Sequence, residues 1–146
     1  MNNTSGTVRR GLSVLLASAL LTVAMGARVA SAQQVKVTLS GDQEVPAVKT
    51  AGAGTGTIAV AADKSVTGSV TTSGVAGTMA HIHEAAAGKN GPVVIPLSKS
   101  GDSTWSVPAG AKLTDAQFGS FKAGNLYVNV HSAANPGGEV RGQLKP

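Results

Sequence analysis

Apolar and polar residues alternate along most of this chain. In Gln34-Val35-Lys36-Val37-Thr38-Leu39-Ser40, Val35, Val37 and Leu39 fall to one side, and Lys36 and Thr38 to the other. Successive side chains of a strand point to opposite faces, so a period of two marks a half-buried strand. Similar patterns occupy residues 52–62, 65–72, 78–83, 92–97, 104–107, 125–131 and 138–144. Asp63-Lys64 reads as a tight turn that makes a hairpin of the second and third strands. Glycines 52, 54 and 56 predict a bulge or a sheet edge there, and Pro92 and Pro96 place their strand near an edge. Glu84 to Gly91 reads as a flexible loop, and Ser132 to Gly137 as the connection between the last two strands.

Thr114-Asp115-Ala116-Gln117 breaks the alternation. A threonine followed three residues later by glutamine has the form of a capping box. Phe118 and Phe121 then lie one helical turn apart, and Gly124 stands where a helix would stop. The expectation is one short helix from Asp115 to about Ala123. About eight short strands and one helix predict an all-β fold, a Greek-key sandwich or barrel in a single domain.

Strand parity also sorts the faces. Ala80 and Ile82 belong inside, so Met79, His81 and His83 point out. Leu126, Val128 and Val130 belong inside, so Tyr127, Asn129 and His131 point out. Val140, Gly142 and Leu144 belong inside, so Glu139, Arg141 and Gln143 point out. The chain has 3 histidines, and this pattern puts all of them on an outer, solvent-side face. Two imidazoles at i and i+2, with a third from a neighbouring strand, make a three-nitrogen set that suits copper or zinc. The candidate metal ligands are therefore His81, His83 and His131. Glu139 is expected beside His131 near the loop end. Arg141 would pair with Glu139 or Glu84, or guide an anion. Asp42 and Glu44 read as turn or surface carboxylates, and Trp105 as a core anchor. No serine–histidine–carboxylate arrangement is evident, so no catalytic residue is assigned.

Composition changes the picture at the N-terminus. Arg9-Arg10, the apolar run from Leu12 to Ala27, and Ala30-Ser31-Ala32 have the form of a cleavable export signal over residues 1–32. The domain is then residues 33–146, exported to the periplasm or beyond by the Sec or the twin-arginine route. Of the formal charge of +5, three positive charges leave with Arg9, Arg10 and Arg28. The remaining lysines are scattered, which excludes a nucleic-acid stripe. No membrane association is expected after cleavage. The absence of cysteine excludes disulfides and thiolate chemistry, so the core alone must hold the domain together.

Several motifs resemble the chordin-type (CHRD) domain family. They are Leu39-Ser40-Gly41-Asp42-Gln43-Glu44-Val45-Pro46, Ala80-His81-Ile82-His83, Gly91-Pro92-Val93-Val94, the segment Ala123 to His131, and Asn135-Pro136-Gly137-Gly138-Glu139-Val140-Arg141-Gly142-Gln143-Leu144. The resemblance implies an extracellular β module and says little about chemistry. A fainter likeness is to the copper half of copper/zinc superoxide dismutase. Carried over, it would make His81, His83 and His131 copper ligands and Arg141 an anion guide. The dismutase's bridging histidine, zinc ligands and disulfide have no counterpart. The leading expectation is a non-enzymatic binding module with a copper site. Two alternatives stand beside it: a dismutase-like copper redox enzyme, and a structural or extracellular protein-binding domain whose histidines are incidental.

Overall fold

The computed structural model describes residues 1–2 and 31–146. The leader reading therefore falls almost wholly outside the described residues. The strands are β1 (Gln33–Ser40), β2 (Ala53–Val60), β3 (Val66–Ser73), β4 (Gly77–Glu84), β5 (Val93–Pro96), β6 (Ser98–Lys99), β7 (Thr104–Ser106), β8 (Leu126–Ser132) and β9 (Val140–Leu144), with one α-helix, α1 (Asp115–Lys122). They form one sheet in the order β5-β4-β8-β9-β1-β2-β3-β7-β6. Every neighbouring pair is antiparallel. The neighbours β4–β8, β9–β1 and β3–β7 are not consecutive in sequence, which is the connectivity of a Greek key.

β5 and β6 stand at opposite ends of that order, yet they are successive parts of one segment, Val93–Lys99. The break is Leu97, whose N–H donates to the carbonyl of Ala80 on β4 at 2.9 Å. Beyond it, Ser98 and Lys99 pair with Ser106 and Trp105 on β7. The sheet is thus nearly closed into a barrel, and the proline-bounded strand is the one that closes it. The expected count of about eight becomes nine because Ser98–Lys99, just beyond the expected strand and read as the start of a turn, pairs with β7.

β2 departs from expectation. It runs unbroken between β1 and β3 and is neither bulged nor an edge. Its glycines serve close approach instead: a side chain at Gly56 would collide with the Ser69 carbonyl and Val70 of β3.

The interior is filled by the residues that parity assigned to it. Val35, Val37 and Leu39 of β1 meet Ala80 and Ile82 of β4, Val128 and Val130 of β8, and Val140 and Leu144 of β9. Trp105 joins this core, as does Phe121 from the helix. The helix has the predicted start. Thr114 Oγ1 accepts from the Gln117 N–H at 3.2 Å, and Gln117 Oε1 accepts from the Thr114 N–H at 2.9 Å. It ends with Gly124 at φ +74°. The N–H groups of Gly124 and Asn125 donate to the carbonyls of Phe121 and Ser120, a Schellman ending that favours glycine at this turn. Among the described residues, no helix is long and apolar enough to cross a membrane.

Candidate metal centre

The register of β4, β8 and β9 sets the outward side chains in rows. Met79 lies opposite His131, His81 opposite Asn129, and His83 opposite Tyr127. On the other side of β8, Asn129 faces Arg141 and Tyr127 faces Gln143. Adjacent rows on one face are close enough for long or aromatic side chains to touch diagonally. The three histidines do so: one ring nitrogen from each lies within 4.8 Å of the other two. His81 Nδ1 is 3.0 Å from His131 Nε2.

Two of the rings are held by backbone carbonyls. His83 Nδ1 is 2.9 Å from the Gly91 carbonyl, and His131 Nδ1 is 2.8 Å from the Pro136 carbonyl. A carbonyl only accepts, so each Nδ1 carries the hydrogen, and in the neutral ring each Nε2 is left with a lone pair. His131 Nε2 faces His81, and His83 Nε2 is the nitrogen of that ring left free to ligate. His83 Nε2 is buried and has no hydrogen-bond partner. His81 Nδ1 then donates its hydrogen to His131 Nε2, and a cation at that place would substitute for the hydrogen. Fixing a histidine through its second nitrogen is how proteins orient metal ligands. Metal–nitrogen bonds of ~2.0–2.1 Å set ligand nitrogens roughly 3–3.4 Å apart; the His81–His131 pair already meets this at 3.0 Å, while the set as a whole, which spans up to 4.8 Å, would have to draw in around an ion.

One expectation is corrected. This face does not lie open to solvent. His83, His131, Tyr127, Asn129, Glu139 and Arg141 are all buried, and His81 is half-buried. The reason is the loops above it. The Glu84–Gly91 segment, read as flexible, is tied down from below. Arg141 donates to the carbonyls of Lys89 at 2.8 Å and Ala86 at 3.2 Å, and Gln143 Nε2 donates to that of Ala85 at 2.8 Å. Asn90 Nδ2 in turn donates to the Val45 carbonyl at 2.7 Å, which joins this loop to the one after β1.

Arg141 is placed quite differently from the pairing read in the sequence. It is 1 % exposed and bonds neither Glu139 nor Glu84. Its guanidinium carbon sits 3.5 Å from the Tyr127 ring centre. Tyr127 on its other side stacks on His83, with centroids 4.9 Å apart and planes within 5°. Arg141 therefore supports His83 through Tyr127, and its donors are engaged with loop carbonyls rather than turned to an incoming anion. The Glu139 carboxylate accepts from Thr50 Oγ1 at 2.7 Å. The Ser132 and Thr50 hydroxyls hold its pKa below the usual carboxylate range. It is the Pro136 carbonyl, not Glu139, that takes the second nitrogen of His131.

Glu44 is the residue that sequence reasoning placed wrongly. Asp42 is exposed as expected, but Glu44 is 6 % exposed. Burial pushes its pKa up to about 7, and the charge of Arg141 and the Asn129 amide offset only part of that. Its Oε1 has no hydrogen-bond partner. Burial and the neighbouring imidazoles hold His81 below the ordinary imidazole range. Burial likewise lowers His83, more than the Gly91 carbonyl raises it. Neutral imidazole is the form that ligates metals.

The structure thus defines an all-β, barrel-like domain with a sheltered imidazole cluster. The chain belongs to the CHRD domain family, which it matches over residues 35–144. No curated protein and no solved structure matches it.

Proposed function

We propose that this chain is an exported, non-enzymatic binding module that holds a metal ion between His81, His83 and His131, with copper the preferred ion. The carrying observation is the disposition of ring nitrogens. Two histidines give their Nδ1 hydrogens to backbone carbonyls, which leaves each Nε2 with a lone pair, and that of His131 lies 3.0 Å from the third ring. A buried nitrogen without a partner costs about 1–3 kcal/mol, and a cation would satisfy His83 Nε2. Among divalent first-row ions, nitrogen sites bind Cu(II) most tightly, which favours copper over zinc.

Isothermal titration of residues 33–146 with Cu(II) and Zn(II) tests the reading, beside a His81→Ala/His83→Ala variant. One equivalent of Cu(II) should bind the parent, and binding should fall at least about a hundredfold in the variant, or ~2.7 kcal/mol. Equal, weak binding by both would refute the metal site and leave a CHRD domain that works through a protein partner.

A further inference from the structure

Resting on the three-histidine reading, we infer that Met79 supplies a fourth, thioether ligand, so that the site retains Cu(I) as well as Cu(II). Met79 directly faces His131 across the β4–β8 pair, and it is the next outward residue before His81 on the same strand. Directly opposed residues have Cβ atoms roughly 4.5–5.5 Å apart. Methionine adds three flexible bonds beyond that point, which lets its sulfur settle over a neighbouring group.

The cover over the cluster is uneven, and Met79 stands where it is thin. His83 is closed in by Gly91 and Tyr127, and His131 by Pro136. His81 is the half-buried member, and Met79 beside it is 47 % exposed. The other exposed large apolar side chain of the described barrel, Val93 at 49 %, lies opposite His83 on β5. The half-buried ring, His81, is thus preceded on its face of β4 by an exposed thioether, whereas the exposed Val93 pairs with the buried His83. Among the described residues no carboxylate joins the imidazole cluster: Glu139 is engaged with Thr50, and Glu84 accepts from Ser120 Oγ at 2.6 Å. Three neutral nitrogens and one sulfur form a set without formal charge. Such a set suits a soft, monovalent ion, because thioether ligands select Cu(I) over harder cations.

The test is metal competition on residues 33–146 and on Met79→Leu, a swap of similar volume at an exposed position. Cu(I) is measured anaerobically against a chromophoric chelator, and Zn(II) in parallel. The inference expects Met79→Leu to lose about tenfold or more in Cu(I) affinity, with Zn(II) affinity within about twofold of the parent. X-ray absorption of the Cu(I)-loaded parent should show one sulfur scatterer, which Met79→Leu lacks. Unchanged Cu(I) affinity in Met79→Leu, with both metals still bound, would overturn the role of Met79 and leave the histidine site standing. Equal loss of Cu(I) and Zn(II) would overturn it too, by showing a packing effect. A parent protein that binds neither ion would remove the histidine reading and this inference together.

Discussion

Replacing Glu44 by glutamine should change how stability depends on pH, in a window set by one buried carboxyl. Glu44 titrates at about 7 in the folded chain against an ordinary 4.5. The folded state therefore holds a proton that the unfolded chain has released, between those two values. Where the folded state binds more protons, stability falls as pH rises. The Glu44 contribution is fully present below pH 4.5 and lost as pH climbs through about 7. Each pH unit of displacement is worth about 1.4 kcal/mol, so the ceiling is roughly 3 kcal/mol at pH 8, a large share of the ~5–15 kcal/mol typical of a domain. Glutamine keeps the shape of the protonated acid and cannot ionise. The assay is urea unfolding of both proteins from pH 4 to 8 with a chelator present. Their stability difference should be near zero at pH 4 and grow to as much as roughly 3 kcal/mol in favour of Glu44→Gln at pH 8. The lowered titrations of His81 and His83 act in both proteins with the opposite slope, so the difference cancels them. A constant difference across the range would refute the reasoning.

Three further outcomes follow from the same geometry. Gly91→Ala should weaken Cu(II) binding about 10- to 100-fold with every ligand retained, because a methyl group there collides with the Glu84 carbonyl and displaces the carbonyl that holds His83; competition titration reads this. The loss of Cu(II) affinity on acidification should set in at lower pH than for a free-histidine peptide, since burial keeps His81 and His83 neutral to lower pH than free imidazole; parallel pH series on the two check it. Phe121→Ala should cost about 3–5 kcal/mol in a denaturant melt, because this fully buried ring carries the helix into the core.

Strand parity made much of this legible. Placing Ile82 and Val130 inside sent His81, His83 and His131 to one face, and the structure brings those rings together. The helix was readable to within a residue of its end, because Thr114, Gln117 and Gly124 are local signals for local hydrogen bonds. What covers the face was not readable. The carbonyls of Gly91 and Pro136 are backbone atoms, and any residue could supply them. The burial of Glu44 depends on loops brought over it by Arg141, Gln143 and Asn90, which lie far away in sequence. The glycines of β2 looked like weakness in isolation, and only the neighbouring β3 explains them.

The way Val93–Lys99 joins both ends of the strand order has a consequence for how the domain meets other chains. An open sheet offers its rim to any passing chain as a template for further pairing, the usual beginning of fibrils. Here one segment serves as both rims at once, and little ladder is left to copy. A domain without cross-links gains from this a resistance to self-association that would otherwise have to come from charge.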